Sequence, residues 1–250
     1  MTTYALNNIR KNAFIAACVP LSVCLAAPAF ADDTWEYTGF IYLWGAGIGG
    51  ETVTGQDVDV SFNDVLDNLD FGLMGSLEAR KGPWAIFGDA LYLSIAKEDG
   101  AAVGPGIPVS ADADISGFVS TLGAGYDVVD TGSYRLNAFG GLRYLDMDTT
   151  VNIGVGNGSA RVTDAFSNWD GVVGLRGISN ISDRWDLVYY ADVGAGESDL
   201  TWQAALSVDY NINNWALTFG YRHLAWEIDT SATLSEIEFS GPFVGAKYRF

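Results

Sequence analysis

The chain has 250 residues, with 13 Lys and Arg against 31 Asp and Glu and a formal net charge of −18. So acidic a chain excludes nucleic acid as a partner, because phosphate binding needs a basic face. Both cysteines, Cys18 and Cys24, lie near the N-terminus, so the rest of the chain uses no disulfide or thiol chemistry.

The first 31 residues have the pattern of a secretory signal peptide. Arg10 and Lys11 precede an almost wholly apolar stretch at 13–28, and residues 29–31 (Ala-Phe-Ala) are a small-x-small cleavage signal. We therefore expect one mature domain, residues 32–250, with a net charge of −20 once Arg10 and Lys11 are removed. It has no apolar run of about 18 residues, so it can span a membrane only as a β-barrel.

From residue 34 onward the chain repeats a strand, a very short turn, an aromatic residue that begins the next strand, and a longer polar connection. The short turns are rich in Gly, Asn, Asp and Ser. They lie at 81–83, 130–133, 182–184 and 211–214. We predict ten strands, at 34–48, 70–81, 84–96, 113–129, 134–148, 169–180, 185–195, 201–210, 215–227 and 236–250. Eight or twelve also fit, because the connection 49–69 has room for another hairpin around residues 58–62. The other long connections are 97–112 and 149–168.

Most predicted strands alternate with period two, which is typical of a half-buried strand. Trp185, Leu187 and Val193 share one face, for example, while Asp186 and Asp192 share the other. Trp and Tyr bracket the apolar faces, and Gly, Arg and Asp occupy the opposite faces, which favours apolar residues outside and a narrow polar lumen inside. The predicted fold is all-β, a single transmembrane antiparallel up-and-down barrel with both termini on the short-turn, periplasmic side.

The polar faces predict a lumen of mixed charge. Its members are Glu78, Arg80, Arg135, Arg143, Asp170, Arg176, Asp186, Asp192, Asp209 and Arg222. A lumen of about ten strands is narrow, and unpaired buried charges are costly, so we expect these five bases and five acids to pair.

Pro242 coincides with a change of pattern in the last strand. Ile237, Phe239 and Phe243 share odd parity, whereas the apolar residues after them are even. A one-residue insertion flips every later side chain, so this pattern predicts a β-bulge near Gly241-Pro242.

The last strand ends in Tyr248-Arg249-Phe250. With its signal peptide and even-numbered meander, the chain resembles the small outer-membrane β-barrel proteins of Gram-negative bacteria. A narrower similarity, to porin-like outer-membrane proteins, is found at residues 42–44, 58–69 and 75–89. The resemblance implies an outer-membrane location and a terminal signal, with Tyr248 and Phe250, that the barrel-insertion machinery reads. It implies little about activity, because such barrels host pores, adhesins, anchors and a few enzymes.

Three other features have weaker functional interpretations. Residues 45–50 match G-x-G-x-x-G, but loop or strand follows where a dinucleotide site needs a helix, so a rim at the top of strand one is preferred. His223 is the only histidine, which excludes two-histidine metal sites, and its parity with Phe219 and Tyr221 turns it outward. Residues 63–69 favour a short surface helix.

Acidic residues gather near the predicted outer ends of the strands, among them Glu51, Asp57 and Asp59. Their oxygens suit Mg²⁺ or Ca²⁺, which could bridge the rim to lipopolysaccharide phosphates. A solvated acidic rim is the preferred interpretation.

The sequence predicts neither an enzyme nor a cofactor. It favours an outer-membrane barrel that is a narrow, cation-favouring channel for small solutes or a structural element of the envelope. A barrel enzyme acting on lipid or peptide at the outer rim and a soluble ligand-binding barrel of the lipocalin type are the alternatives.

Overall fold

The computed structural model describes residues 34–52, 57–60, 69–103, 107–155, 158–228 and 234–250. The predicted signal peptide, residues 1–31, lies outside them, as does the predicted helix apart from Leu69. The strands are β1 (Glu36–Trp44), β2 (Gly47–Thr52), β3 (Asp57–Val60), β4 (Leu69–Lys81), β5 (Trp84–Val103), β6 (Ile107–Asp130), β7 (Tyr134–Val155), β8 (Gly158–Ser182), β9 (Trp185–Gly196), β10 (Leu200–Ile212), β11 (Trp215–Glu227) and β12 (Leu234–Arg249). Within the described ranges, no helix has the length and apolar character needed to cross a membrane.

Ten of these strands close a barrel, which confirms the predicted all-β fold and strand number. β1 is followed around the wall by β4 to β12, and each neighbouring pair is antiparallel. β1 then pairs with β12, from Thr38 opposite Arg249 to Trp44 opposite Phe243. The last strand therefore joins the first, and the barrel wall is closed there.

A hairpin lies in the connection predicted at 49–69. β2 continues the line of β1 after two residues and pairs with the same partner, with Gly47 opposite Ser240. β3 pairs with β2, with Ile48 opposite Val60. The ten-stranded wall thus carries one extra strand at the end opposite the short turns, which we call the loop side.

The prediction of long connections at 97–112 and 149–168 is wrong, because most of these residues lie in strands. β5 runs to Val103 and β6 begins at Ile107, while β7 runs to Val155 and β8 begins at Gly158. These segments are rich in Ala, Gly, Ser and Asp, which suggested loops. Pairing between long neighbouring strands overrides that local preference.

The outward face of the short-turn half carries an apolar belt. Ile41, Leu77 and Leu206 are 74%, 66% and 55% exposed. Aromatic pairs lie at the short-turn end of the belt, including Trp215 with Tyr248, whose ring centroids are 4.7 Å apart. Exposed apolar side chains bounded by an aromatic girdle are the outer surface of a membrane-spanning barrel.

In the loop-side half, the apolar and polar faces of the wall exchange sides. There the interior holds an apolar cluster, which we call the upper plug, while the outward face carries Glu227 and Glu238. The upper plug consists of Tyr42, Trp44, Met74, Leu91, Val119, Leu145, Met147, Leu224, Trp226, Ile228 and Ile237. An apolar interior with acidic outward residues is the pattern of a water-exposed wall, so we expect the end of the barrel that carries Glu227 and Glu238 to project beyond the membrane.

The predicted bulge at Pro242 is wrong. Pro242 lies opposite Tyr221, and the register is regular from Ser240 opposite His223 to Val244 opposite Phe219. Ile237, Phe239 and Phe243 all belong to or contact the upper plug. The apolar parity changes because the apolar side of the wall changes from outside to inside, not because the backbone gains a residue.

Candidate functional site: the barrel interior

All ten side chains of the predicted lumen network lie on the interior face, and most of them are buried. Nearest the short turns, Arg80 Nη2 lies 2.6 Å from both oxygens of Asp127. Asn137 Nδ2 donates to Asp127 at 2.8 Å, and Arg135 Nε lies 3.5 Å from the same carboxylate. Three strands, β4, β6 and β7, are therefore tied through one buried acid.

Arg176 extends this group across the lumen. Its Nη2 lies 2.7 Å from Glu78 Oε2, and its Nε donates to Asn137 at 3.3 Å. The guanidinium carbon lies 3.9 Å from the centroid of the Phe87 ring, a cation–π contact. The pairing joins β8 to β4 on opposite parts of the wall.

Arg222 forms the centre of a layer at mid-height. Its Nη1 lies 3.0 Å from Asp89 and donates to the Tyr42 hydroxyl at 2.8 Å, while Nη2 donates to Gln203 at 2.7 Å. The Tyr42 hydroxyl in turn donates to Asp89 at 2.9 Å. This layer connects β1, β5, β10 and β11.

Arg143 is fully buried and forms the centre of a second layer, beside the layer of Arg222. Its Nη2 is paired with Asp192, Nη1 donates to Thr201 at 3.0 Å, and Nε donates to Thr121 at 3.2 Å. Every guanidinium nitrogen is thus engaged by β6, β9 or β10, as burial of a charge requires.

The remaining three acids of the predicted network are held separately. Asp186 accepts from Asn180 at 2.6 Å and from Asn211 at 2.7 Å. Asp209 accepts from Thr218 and from Lys247, each at 2.7 Å. Asp170 accepts from the backbone N–H of Ser198 at 3.0 Å.

The interior is thereby divided in two. A cavity of about 540 Å³, which we call the vestibule, extends from Tyr42 and Arg222 down to the short-turn residues Gly132 and Ser133. Above the Arg222 and Arg143 layers lies the upper plug, which lines a much smaller cavity of about 40 Å³. The two cavities share no lining residue.

Sequence reasoning omitted several members of this network. Lys247 alternates with the outward Tyr248 in the last strand, so the sequence pattern is enough to place it in the interior. Asp89 gave no clear signal, because it shares a face with Phe87 and Leu91. Tyr42 is an aromatic in a poorly alternating strand. Only the fold shows that it bonds Arg222, 180 residues away in sequence.

The turn after β6 holds one carboxylate outside the membrane-spanning part. Asp130 Oδ1 accepts from the backbone N–H of Gly132 at 2.9 Å, and Arg135 Nε lies 3.2 Å from Oδ2. The Gly132 bond first, and then the Arg135 charge, lower the pKa of Asp130 below its ordinary value.

The other predicted features are placed as follows. His223 lies on the outward face, stacked on Trp202 at 4.3 Å between ring centroids, with Nε2 3.9 Å from Glu238. Residues 47–50 of the glycine-rich segment lie in β2, a strand rather than a helix. No group of three or more His, Cys, Asp or Glu residues that could hold a metal ion occurs in the described part of the chain.

At the end of β12, Tyr248 and Phe250 lie on the outward side, with ring centroids 5.4 Å apart. The backbone N–H of Phe250 donates to Tyr37 at 3.1 Å, which continues the closing β1–β12 seam. The two residues therefore belong to the short-turn girdle.

No protein-family model and no curated protein matches this sequence. Solved structures do match. The outer-membrane protease OmpT from Escherichia coli is 12% identical with a TM-score of 0.50, covering 89% of this chain and 99% of OmpT. The translocator domain of the autotransporter NalP from Neisseria meningitidis is 16% identical with a TM-score of 0.45, covering 86% and 88%. The toluene transporter TodX of P. putida is 12% identical with a TM-score of 0.29, covering 89% and 90%. The chain has the fold of Gram-negative outer-membrane β-barrels.

Proposed function

We propose that this protein is a structural β-barrel of the outer membrane, closed to solutes, with its termini and short turns in the periplasm. The observation that supports this most is the double closure of the interior. The Arg222–Asp89–Tyr42 and Arg143–Asp192–Thr201 layers cross the lumen, and the upper plug fills the space above them.

The energetics favour closure over conduction. An ion that crossed the mid-height layers would have to separate pairs whose partners would then be buried without a counter-charge, which costs several kcal/mol. It would next meet a packed cluster of mostly apolar side chains. The outer-rim acids favour cations only where a path exists.

A narrow, cation-favouring channel is the second candidate. The vestibule supplies an aqueous path through the short-turn half of the barrel. Conduction then requires the upper plug and both arginine layers to move aside together. The closed barrel requires no such movement.

The enzymatic and soluble alternatives fit less well. A rim enzyme would need clustered polar groups around His223, whose described partners are the Trp202 ring and, at 3.9 Å, Glu238. A lipocalin-type barrel would need a polar exterior, whereas the short-turn half exposes Ile41, Leu77 and Leu206.

The same proposal includes the contacts with the envelope. Tyr248 and Phe250 act as the terminal signal for the barrel-insertion machinery, supported by their outward position in the girdle. The acidic outer rim, with Glu227 and Glu238, faces lipopolysaccharide, with divalent cations between the carboxylates and the lipid phosphates.

Planar-bilayer recording of the refolded mature chain tests the closed barrel. We expect no steady single-channel conductance. The matched control is a variant with Arg222, Asp89, Arg143, Asp192, Trp44 and Trp226 all changed to Ala, which removes both arginine layers and two large side chains of the upper plug and should conduct if it inserts. Steady conductance from the unaltered protein would refute closure, and cation selectivity in that case would establish the channel.

A further inference from the structure

Four strands extend beyond the rest of the wall on the loop side. β5 pairs with β4 only as far as Ile95, and β8 pairs with β9 only from Asp170 onward, whereas β5 to β8 continue to pair with one another beyond these levels. We call residues 96–103, 107–114, 150–155 and 158–168 the raised sheet. Its outer strands, β5 and β8, each have a neighbour on one side only in the described structure.

The free edge of β8 presents unpaired backbone groups. At Trp169 both groups point away from β7, since the N–H donates to the Glu197 carboxylate at 2.8 Å and the C=O accepts from the Glu197 N–H at 3.0 Å. Backbone groups of alternate residues in a regular strand point to the same side, and the β7–β8 register is regular here. The residues that share the direction of Trp169 are Ser159, Arg161, Thr163, Ala165 and Ser167. Among the described residues, no strand pairs with them on that side.

This edge lacks the protection that edge strands usually have. Charged side chains, proline and bulges normally keep such edges from pairing. The free edge of β5 carries Lys97, Glu98 and Asp99 in succession. Residues 158–168 contain no proline, have no shift in their register with β7, and carry only one base and one acid. At about 3.3 Å per residue they form an edge roughly 35 Å long, which is able to accept another strand.

The stretch is complementary to itself. An antiparallel copy turned about Thr163 matches residues 158–168 over their full length, with Arg161 opposite Ala165 and Thr163 opposite itself. Because alternate residues both donate and accept, such a pair would form roughly ten backbone hydrogen bonds. Threonine opposite threonine is a favourable cross-strand pair, and no like charges lie directly opposite each other in this register.

The two faces of β8 determine the direction of the second copy. Arg161, Thr163 and Ala165 are exposed on the outward face, whereas Phe166 is half-buried and Asn168 is buried on the inward face. An antiparallel copy, turned about an axis perpendicular to the sheet, keeps outward face beside outward face. A parallel copy, turned about an axis along the strand, would place the outward face beside the inward one. All copies in one membrane have β8 running in the same direction, so an antiparallel pair requires copies in two facing membranes.

We propose that the raised sheet joins two copies of this chain held in facing membranes, through antiparallel pairing of residues 158–168 across a two-fold axis at Thr163. This goes beyond the structural role. It depends on the outward orientation of the loop side but not on closure of the barrel, so it holds whether or not the interior conducts.

Disulfide cross-linking between two populations of lipid vesicles tests the pairing. Residues 32–250 contain no cysteine, so an introduced cysteine is a specific reporter. Opposite Cα atoms in a hydrogen-bonded antiparallel pair are about 5.5 Å apart, within disulfide range. One population carries refolded Arg161→Cys and the other Ala165→Cys. We expect disulfide-linked dimers after mixing and oxidation, and none from either population alone. Thr163→Cys should form dimers by itself, while the short-turn control Asp183→Cys should not.

Clustering of vesicles is the second measurement. Light scattering should rise when vesicles carry the unaltered protein. Thr163→Pro removes the N–H at the centre of the free edge without removing a bond to β7, and should abolish clustering. The matched variant Thr163→Val keeps that N–H and should still cluster.

Two outcomes would overturn the proposal. Dimers from Arg161→Cys alone would mean parallel pairing within one membrane. Neither dimers in the mixed vesicles nor clustering would mean that the edge stays unpaired. Labelling of Arg161→Cys by a membrane-impermeant maleimide identifies vesicles whose loop side faces outward, so a negative result in them counts against the pairing and not against the orientation.

Discussion

Arg222 on β11 reaches across the lumen to Asp89 on β5, with 3.0 Å between Nη1 and Oδ1. The two strands are not neighbours in the wall, since β12, β1 and β4 lie between them. The pair therefore ties opposite sides of the barrel together, and the Tyr42 hydroxyl bonds both partners.

Breaking this tie on one side should be costly. Arg222→Ala leaves Asp89 without its counter-charge, and we expect a loss of about 3–5 kcal/mol in the free energy of unfolding. Denaturant titration of the refolded protein in micelles measures it. The matched control, Arg222→Leu with Asp89→Leu, removes both charges and should cost clearly less; an equal loss in both variants would show that packing, not charge pairing, dominates.

The upper plug should respond as a packed core. Trp226 is fully buried, so Trp226→Ala should cost about 3–5 kcal/mol through lost contacts and a cavity. Trp215→Ala removes the same side chain from the exposed girdle and should cost less. The same denaturant titration compares them, and a larger loss at Trp215 would contradict the inverted packing.

The boundary of the membrane can be located with charges on the outward face. Leu206→Arg places a cation in the apolar belt and should cost about 2–4 kcal/mol in lipid bilayers. Glu227→Arg, on the adjacent strand in the loop-side half, should cost nothing or stabilise slightly, because Glu236 lies directly opposite. A comparable loss at both positions would mean that the belt extends over the loop side.

Orientation can be read by labelling, since residues 32–250 contain no cysteine. Asp183→Cys lies in the turn between β8 and β9, and Arg161→Cys lies exposed near the other end of β8. A membrane-impermeant maleimide should label Arg161→Cys in intact cells and Asp183→Cys only after the outer membrane is permeabilised. The reverse pattern would place the short turns outside.

Alternation was enough to predict the barrel and the interior position of residues such as Arg143 and Asp209, because side-chain direction in a strand follows directly from parity. It failed at Ile237 and Phe239, where parity is unbroken but the environment changes. Period two separates the two faces of a strand without saying which face meets water. The projecting parts of β5 to β8 were missed for a related reason, since Ala, Gly and Ser carry little alternating hydrophobicity.

The partners inside the barrel were beyond sequence reasoning. That Arg176 is a lumen residue follows from its parity, but its contacts with Glu78 and Phe87 depend on strand order, stagger and barrel diameter.

The inversion of the wall limits the lipid that this barrel can match. On β10 the outward aromatic residues that bound the apolar belt are Tyr210 and Trp202, eight residues apart. At about 3.3 Å per residue and a tilt of about 40°, the belt is roughly 20 Å tall. That is shorter than the apolar band of about 25 Å usual for outer-membrane barrels, so the barrel should thin a thicker bilayer around itself.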